Sequence, residues 1–162
     1  MKKTKILMLF VLIALSITTI YAAKAPEFTF ETFGGKRVKS TTLLEKGPIF
    51  LDFWGTTCEP CLKALPHISG FVAKYPEMNF VGINLDSPRN KDKAQKLFKA
   101  NKYEFIDGYD ENKAMQNLFG VKDMPRTIII DTDGEIVYDN SSFTPGDEEK
   151  YEKLIKDILS KD

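Results

Sequence analysis

Histidine is almost missing from this chain: His67 is the only one in 162 residues, and cysteine occurs twice, at Cys58 and Cys61. A zinc site built on a C-x-x-C pair needs further Cys or His ligands at suitable spacing, and the chain does not supply them. An excess of either charge is missing too: 23 acidic residues balance 23 basic ones. No basic stripe with interleaved aromatics occurs, so nucleic acid is not an expected partner. Internal repeats and low-complexity stretches are absent, and nothing reads as a linker beyond residues 23–27. The longest apolar run, Ile6 to Ile20, falls short of the about 20 residues that a spanning helix requires. No cysteine lies near that run, which excludes a lipid-anchored N-terminus.

What is present begins with that run. Lys2, Lys3 and Lys5 precede it, and Ala22 and Ala23 follow. Basic, then apolar, then small is the layout of a secretory signal. Ala23-Lys24-Ala25 is a small-x-small site, although Pro26 would follow the cut. Residues 1–22 are therefore read as a signal peptide or an N-terminal membrane anchor, and residues 26–162 as one exported domain. The expected location is the periplasm or the outer face of the cytoplasmic membrane, with membrane contact only through the N-terminal segment. The length suits a single domain with a real core.

The centre of the chain is Phe53-Trp54-Gly55-Thr56-Thr57-Cys58-Glu59-Pro60-Cys61. It follows the apolar run Ile49–Phe53 and opens a helical segment from Leu62 to Tyr75, so the cysteines sit where a strand meets a helix. Their spacing puts both sulfurs on one face of the first turn, within reach of a disulfide. Unpaired N–H groups and the positive end of the helix dipole favour a thiolate at Cys58. Pro60 suits the first turn, where a missing N–H costs nothing. The pair is thus read as one that switches between dithiol and disulfide, Cys58 attacking and Cys61 resolving. An inert disulfide across so short a loop would add little stability.

The remaining elements follow in order. Phe28–Phe30 and Arg37-Val38 read as a hairpin turned at Gly34-Gly35. Thr41 or Thr42 is expected to cap a short helix around Leu43-Leu44, ended by Gly47-Pro48. Ile49–Phe53 is apolar on both faces and reads as a central strand. Pro66 is expected to kink the helix after the cysteines. A second buried strand runs from Phe80 to Leu85, then a helix from Lys91 to Asn101, whose lysines read as a solvated face. Phe105-Ile106 is extended, and Asn112–Phe119 is a short helix stopped by Gly120. Thr127–Asp131 and Ile136–Tyr138 form a late hairpin, and Asp147–Leu159 is a closing amphipathic helix. This order predicts an α/β fold with a mixed sheet and helices on both faces.

These features together resemble a thioredoxin fold and, more narrowly, the exported TlpA/ResA-type thiol–disulfide oxidoreductases. The matching residues are Phe53-Trp54-Gly55, Cys58-Glu59-Pro60-Cys61 and Pro66. The helical insert after Leu85, Val121-Lys122-Asp123-Met124-Pro125 and Ile130-Asp131-Thr132-Asp133-Gly134 match as well. The resemblance implies a mixed central sheet flanked by helices, with an N-terminal β-hairpin and a helical insert. It implies a cis peptide at Met124–Pro125, with Met124 offering its backbone to an extended substrate. Trp54, Glu59, Pro60, Met124 and Pro125 are then the expected substrate-binding residues, and Cys58, Cys61 and Asp52 the catalytic ones. The implied activity is reduction of protein disulfides, in cytochrome c maturation or in general extracytoplasmic thiol balance. The implied partners are a protein disulfide substrate and an electron donor, either a membrane thiol reductant or another dithiol protein. A monomer is expected, with no cofactor and no metal. The alternatives are an oxidant or isomerase of the same compartment, or a non-enzymatic module holding a metal on its thiols. The P-x-x-x-T/S-x-x-C pattern of peroxiredoxins is missing around Cys58, which argues against a peroxidase.

Three residues carry further expectations. Asp52 lies on a strand read as buried, where desolvation should raise its pKa. It matches the buried Asp of thioredoxins, so the expected role is proton exchange with Cys61. Glu59 places a negative charge beside Cys58, which disfavours the thiolate and leans toward a reductase. His67 is expected on a helix surface with no catalytic part. Two positions depart from many relatives: Thr57 stands where an aromatic residue often precedes the first cysteine. Ala64 stands where some ResA-type members carry Glu. Substrate recognition is expected to differ accordingly.

Overall fold

The computed structural model describes residues 23–160. The signal or anchor read at residues 1–22 lies outside the described residues. Within them no helix is long and apolar enough to cross a membrane.

The chain forms β1 (Thr29–Glu31), β2 (Arg37–Lys39), α1 (Ser40–Leu44), β3 (Ile49–Trp54), α2 (Glu59–Lys74) and β4 (Asn79–Asn84). A 3-10 turn at Pro88–Asn90 leads into α3 (Lys91–Ala100), β5 (Ile106–Tyr109), α4 (Ala114–Leu118), β6 (Arg126–Ile130), β7 (Ile136–Asn140) and α5 (Asp147–Leu159). One seven-stranded sheet results, in the order β2-β1-β5-β4-β3-β6-β7. β3 is parallel to β4, and β4 to β5, while β6 lies antiparallel to β3 on its other side. The expected N-terminal hairpin is present as β1–β2, and the late one as β6–β7. Ala23 and Ala25 bond to the β6–β7 turn, through Ile136 N–H and Gly134 C=O.

β3 has six buried residues because both its faces are covered. Its odd positions, Ile49, Leu51 and Phe53, join a cluster with Val81, Ile83, Met115, Phe119, Ile128 and Ile130. Its even positions, Phe50 and Trp54, join the opposite cluster with Cys61, Leu65, Ile68, Phe80, Ile129 and Tyr151. Strand alternation puts Asp52 on that second face, beneath α2 and α5. The side chains on these two faces, rather than β propensity alone, hold β3 in the middle of the sheet.

Local differences from the sequence expectations have identifiable causes. α1 begins at Ser40 without a Thr side-chain cap, and Ser40 Oγ instead accepts from Phe28 N–H at 3.0 Å in the buried seam with β1. α4 is shorter than Asn112–Phe119 because Asp110 sets its start, accepting from the N–H groups of Met115 (3.0 Å) and Gln116 (2.8 Å). β5 extends past Phe105-Ile106 to Tyr109 along β4. α2 runs unbroken through Pro66, which is exposed, so the carbonyl freed at Leu62 can turn toward water. Trp54, Asn84 and Tyr109 lie side by side in register at the carboxyl ends of β3, β4 and β5. Ligand and reaction sites of open α/β sheets gather at such strand ends.

Candidate active site

Cys58 is the N-cap of α2, with extended φ and ψ of −89° and 98°, and its Sγ accepts from the N–H of Cys61 at 3.2 Å. Pro60 sits in the first turn and leaves that N–H geometry undisturbed. The two sulfurs are joined in a disulfide, with a Cα–Cα distance of 5.2 Å. The cysteines differ in access: Cys58 is half-buried, whereas Cys61 is 0% exposed inside the α2 core. A thiolate at Cys58 would face both the cap N–H and the positive end of a 16-residue helix.

The loop before Cys58 is clamped from the end of β4. Asp86 accepts from the N–H of buried Thr56 at 2.9 Å and from Asn84 Nδ2 at 3.0 Å. Asn84 returns the contact, its Oδ1 accepting from Asp86 N–H at 3.2 Å. Gly55 leaves room here: a Cβ on it would lie 3.2 Å from Met124 Cε and 3.3 Å from Asp86 Oδ1, so those side chains would have to give by a few tenths of an ångström. The Met124–Pro125 peptide is cis, as the resemblance implies, and half-buried Met124 reaches across to the cysteine loop. Pro125 is buried at the foot of β6, and Glu59 and Pro60 are exposed around Cys58.

Trp54 does not lie on that surface. Expected to bind substrate, it is 0% exposed and packs in the core beside Cys61, with its Nε1 unpartnered. It ends β3 on an inward-facing position, so alternation carries it down against α2. Glu59 is also altered by its surroundings: Lys63, one turn on, pairs with it at 2.8 Å. The hydrogen bond to Lys63 and its charge lower the Glu59 pKa. The negative charge beside Cys58 is therefore offset by a cation and screened by water. His67 stands on the exposed side of α2 with its ring 6.0 Å from that of Phe143.

Asp52 is 0% exposed and sits in mid-sheet, between Gly82 of β4 and Thr127 of β6, rather than at an edge. Thr127 Oγ1 donates to its Oδ1 at 2.8 Å, and Oδ2 has no partner among the described residues. Burial pushes the Asp52 pKa up to about 7, and the Thr127 hydrogen bond opposes the rise. Thr127 Oγ1 also lies 3.1 Å from the hydroxyl of fully buried Tyr151. Sequence reading missed Thr127, Tyr151, Asp86 and Asn84. The strands carrying Thr127 and Asp52 were legible, but the register that sets them opposite each other was not.

The described fold matches solved structures over most of its length. A putative thiol:disulfide interchange protein DsbE from Chlorobium tepidum is 30% identical and superposes with a TM-score of 0.77, covering 86% of this chain and 97% of that one. A secreted Mycobacterium tuberculosis disulfide oxidoreductase, 20% identical, shares the fold with a TM-score of 0.69 over 81% of this chain and 96% of its own. The fold is thioredoxin-like. Among curated relatives, the thiol-disulfide oxidoreductase ResA of Bacillus thuringiensis (strain Al Hakam) is 35% identical over 116 residues, which is 70% of this chain. The chain spans 65% of the length of that relative. The sequence matches the AhpC/TSA family model across residues 21–139, most of its length, and to that family the chain belongs.

Proposed function

We propose that this protein is an exported thiol–disulfide oxidoreductase that reduces protein disulfides. The observation that carries the reading is the unequal pair at the start of α2, with Cys58 accessible on the N-cap and Cys61 sealed beneath it. The reduced Cys58 thiolate attacks one sulfur of the partner's disulfide, forms a mixed disulfide and releases the partner's first thiolate. Asp52 takes the proton of Cys61, and the Cys61 thiolate then attacks Cys58 Sγ. That step restores the 58–61 disulfide and releases the partner's second thiolate, so two electrons pass to the partner. A membrane thiol reductant or another dithiol protein reduces the pair again.

Met124 and Pro125, together with Glu59 and Pro60, are the residues on which an extended substrate segment docks. The relatives' name, thiol-disulfide oxidoreductase, supports the chemistry. The basic and apolar residues of positions 2–20 support export to the periplasm or the outer face of the cytoplasmic membrane. The disulfides reduced are those of exported proteins, in cytochrome c maturation or in general thiol balance, and the protein acts as a monomer. The test is dithiol-driven reduction of insulin, with Cys58→Ser and Cys61→Ser alongside. The wild type accelerates the reaction, Cys58→Ser abolishes it, and Cys61→Ser accumulates a mixed disulfide through Cys58. No acceleration by the wild type, or trapping through Cys61, would overturn the reading.

A further inference from the structure

The two oxygens of the buried Asp52 carboxyl are not equivalent. Its Oδ1 is held by Thr127 at 2.8 Å while its Oδ2 is unpartnered. An ionised carboxylate accepts only, so the single hydroxyl proton of Thr127 points to Asp52. The 3.1 Å contact between Thr127 Oγ1 and the Tyr151 hydroxyl therefore has Tyr151 as its donor. Among the described residues Thr127 alone hydrogen-bonds to the Asp52 carboxylate. β4 presents Gly82, where a Cβ would lie 2.5 Å from the Phe105 ring and 3.3 Å from Trp54 Nε1. α2 presents Cys61 among Ala64, Leu65 and Ile68, and α5 presents Tyr151. Tyr138 of β7 stands behind Tyr151, ring to ring at 5.9 Å, and Asp147 at the start of α5 adds only negative charge there. Among the described residues no lysine, arginine or histidine acts on Asp52.

We propose that Thr127 and Tyr151 are positioning residues that select the oxygen of Asp52 on which the proton is exchanged. The chain from the Tyr151 hydroxyl through Thr127 Oγ1 to Asp52 Oδ1 occupies one oxygen and leaves Oδ2 to load and unload. When Oδ2 takes the proton, Oδ1 becomes a carbonyl-like acceptor and keeps its bond to Thr127. Neither hydroxyl has to turn, so the site cycles without rearrangement. The inference rests on the proposed proton transfer from Cys61: the thiol loses H⁺ to Oδ2, leaving a thiolate and a neutral carboxyl.

The experiment follows the Asp52 carboxyl carbon by NMR against pH in the oxidised protein with no partner present. Thr127→Val should raise the titration midpoint by about one to two pH units, because a donor to the charged form is lost. Thr127→Ser should leave it near the wild-type value. Tyr151→Phe should raise it by about a few tenths of a unit, through weaker polarisation of Thr127, and should add nothing in a Thr127→Val background. An unmoved midpoint in Thr127→Val, or a Tyr151→Phe shift that persists without Thr127, would overturn the proposal. If Thr127→Val does not fold, the decision passes to Tyr151→Phe against Thr127→Ser: only the first should move the midpoint. The titration needs no turnover, so a protein that reduced no disulfide would sink the proposed function and leave this result unaffected.

Discussion

Replacing Asp52 by Asn should make the protein more stable in a pH-dependent way. The sign follows from the two pKa values. Unfolded, an aspartate titrates near about 3.9; folded, Asp52 titrates at about 7. Below both values the group is protonated in either state and has no effect. Between them the folded state holds a proton that the unfolded state has released, so stability falls as pH rises. Above about 7 the loss is complete. Three pH units at about 1.4 kcal/mol each make it about 4 kcal/mol. The wild type should therefore lose about that much between pH 4 and 8 from this carboxyl alone. Asp107 also has a raised pKa, from partial burial, and contributes with the same sign, but it cancels in the difference between wild type and variant. Tyr151, raised by burial, ionises far above this window. The assay is urea unfolding of the oxidised proteins at pH 4, 5, 6, 7 and 8. The two should agree near pH 4, with Asp52→Asn ahead by several kcal/mol at pH 8. A difference that stays flat across the range would refute the burial account of Asp52.

Two further outcomes follow from contacts around the same site. Gly82→Ala would place a methyl 2.5 Å from Phe105 Cε2 and 3.0 Å from its Cδ2, in a core where Phe105 is 4% exposed. Overpacking of this kind should lower stability by about 1–3 kcal/mol in urea unfolding, and an unchanged midpoint would show that Phe105 yields freely. Asp86→Ala removes the acceptor of the buried Thr56 N–H. An unsatisfied donor costs about 1–3 kcal/mol, and the loosened loop should slow insulin reduction; a variant with wild-type stability and rate would show that the clamp is idle.

Much of this was legible from residue order. β3 was readable because Ile49-Phe50-Leu51 and Phe53 are apolar on both faces, and only a central strand buries both. The α2 start was readable because Pro60 and the two cysteines each favour a first turn. What the sequence did not carry was register. Nothing in Thr127 marks it as the partner of Asp52; the antiparallel pairing of β6 with β3 does that. Tyr151 lay unmarked within the closing amphipathic helix, and its hydroxyl acquired meaning only when α5 docked over β3 and β6. Trp54 was misplaced for a related reason. The resemblance made it a substrate-binding residue, whereas the pleat of β3 turns it inward.

Asp52 links stability to chemistry through one quantity. For the proposed resolution step, Cys61 must give up a proton from a site that water does not reach. A thiol of ordinary pKa, about 8.5, facing an ordinary aspartate at about 3.9 would meet a difference of about 4.6 units, or about 6 kcal/mol. Facing Asp52 at about 7, the difference narrows to about 1.5 units, or about 2 kcal/mol. The reduction is the same about 4 kcal/mol by which burial of the charged carboxylate destabilises the fold above neutral pH. A cation beside Asp52 would remove that instability and, in the same stroke, return the base to the range in which it no longer accepts a thiol's proton. β4 offers glycine at that point and β6 a hydroxyl, and a hydroxyl holds the carboxylate in place with far less stabilisation of its charge than a lysine would give.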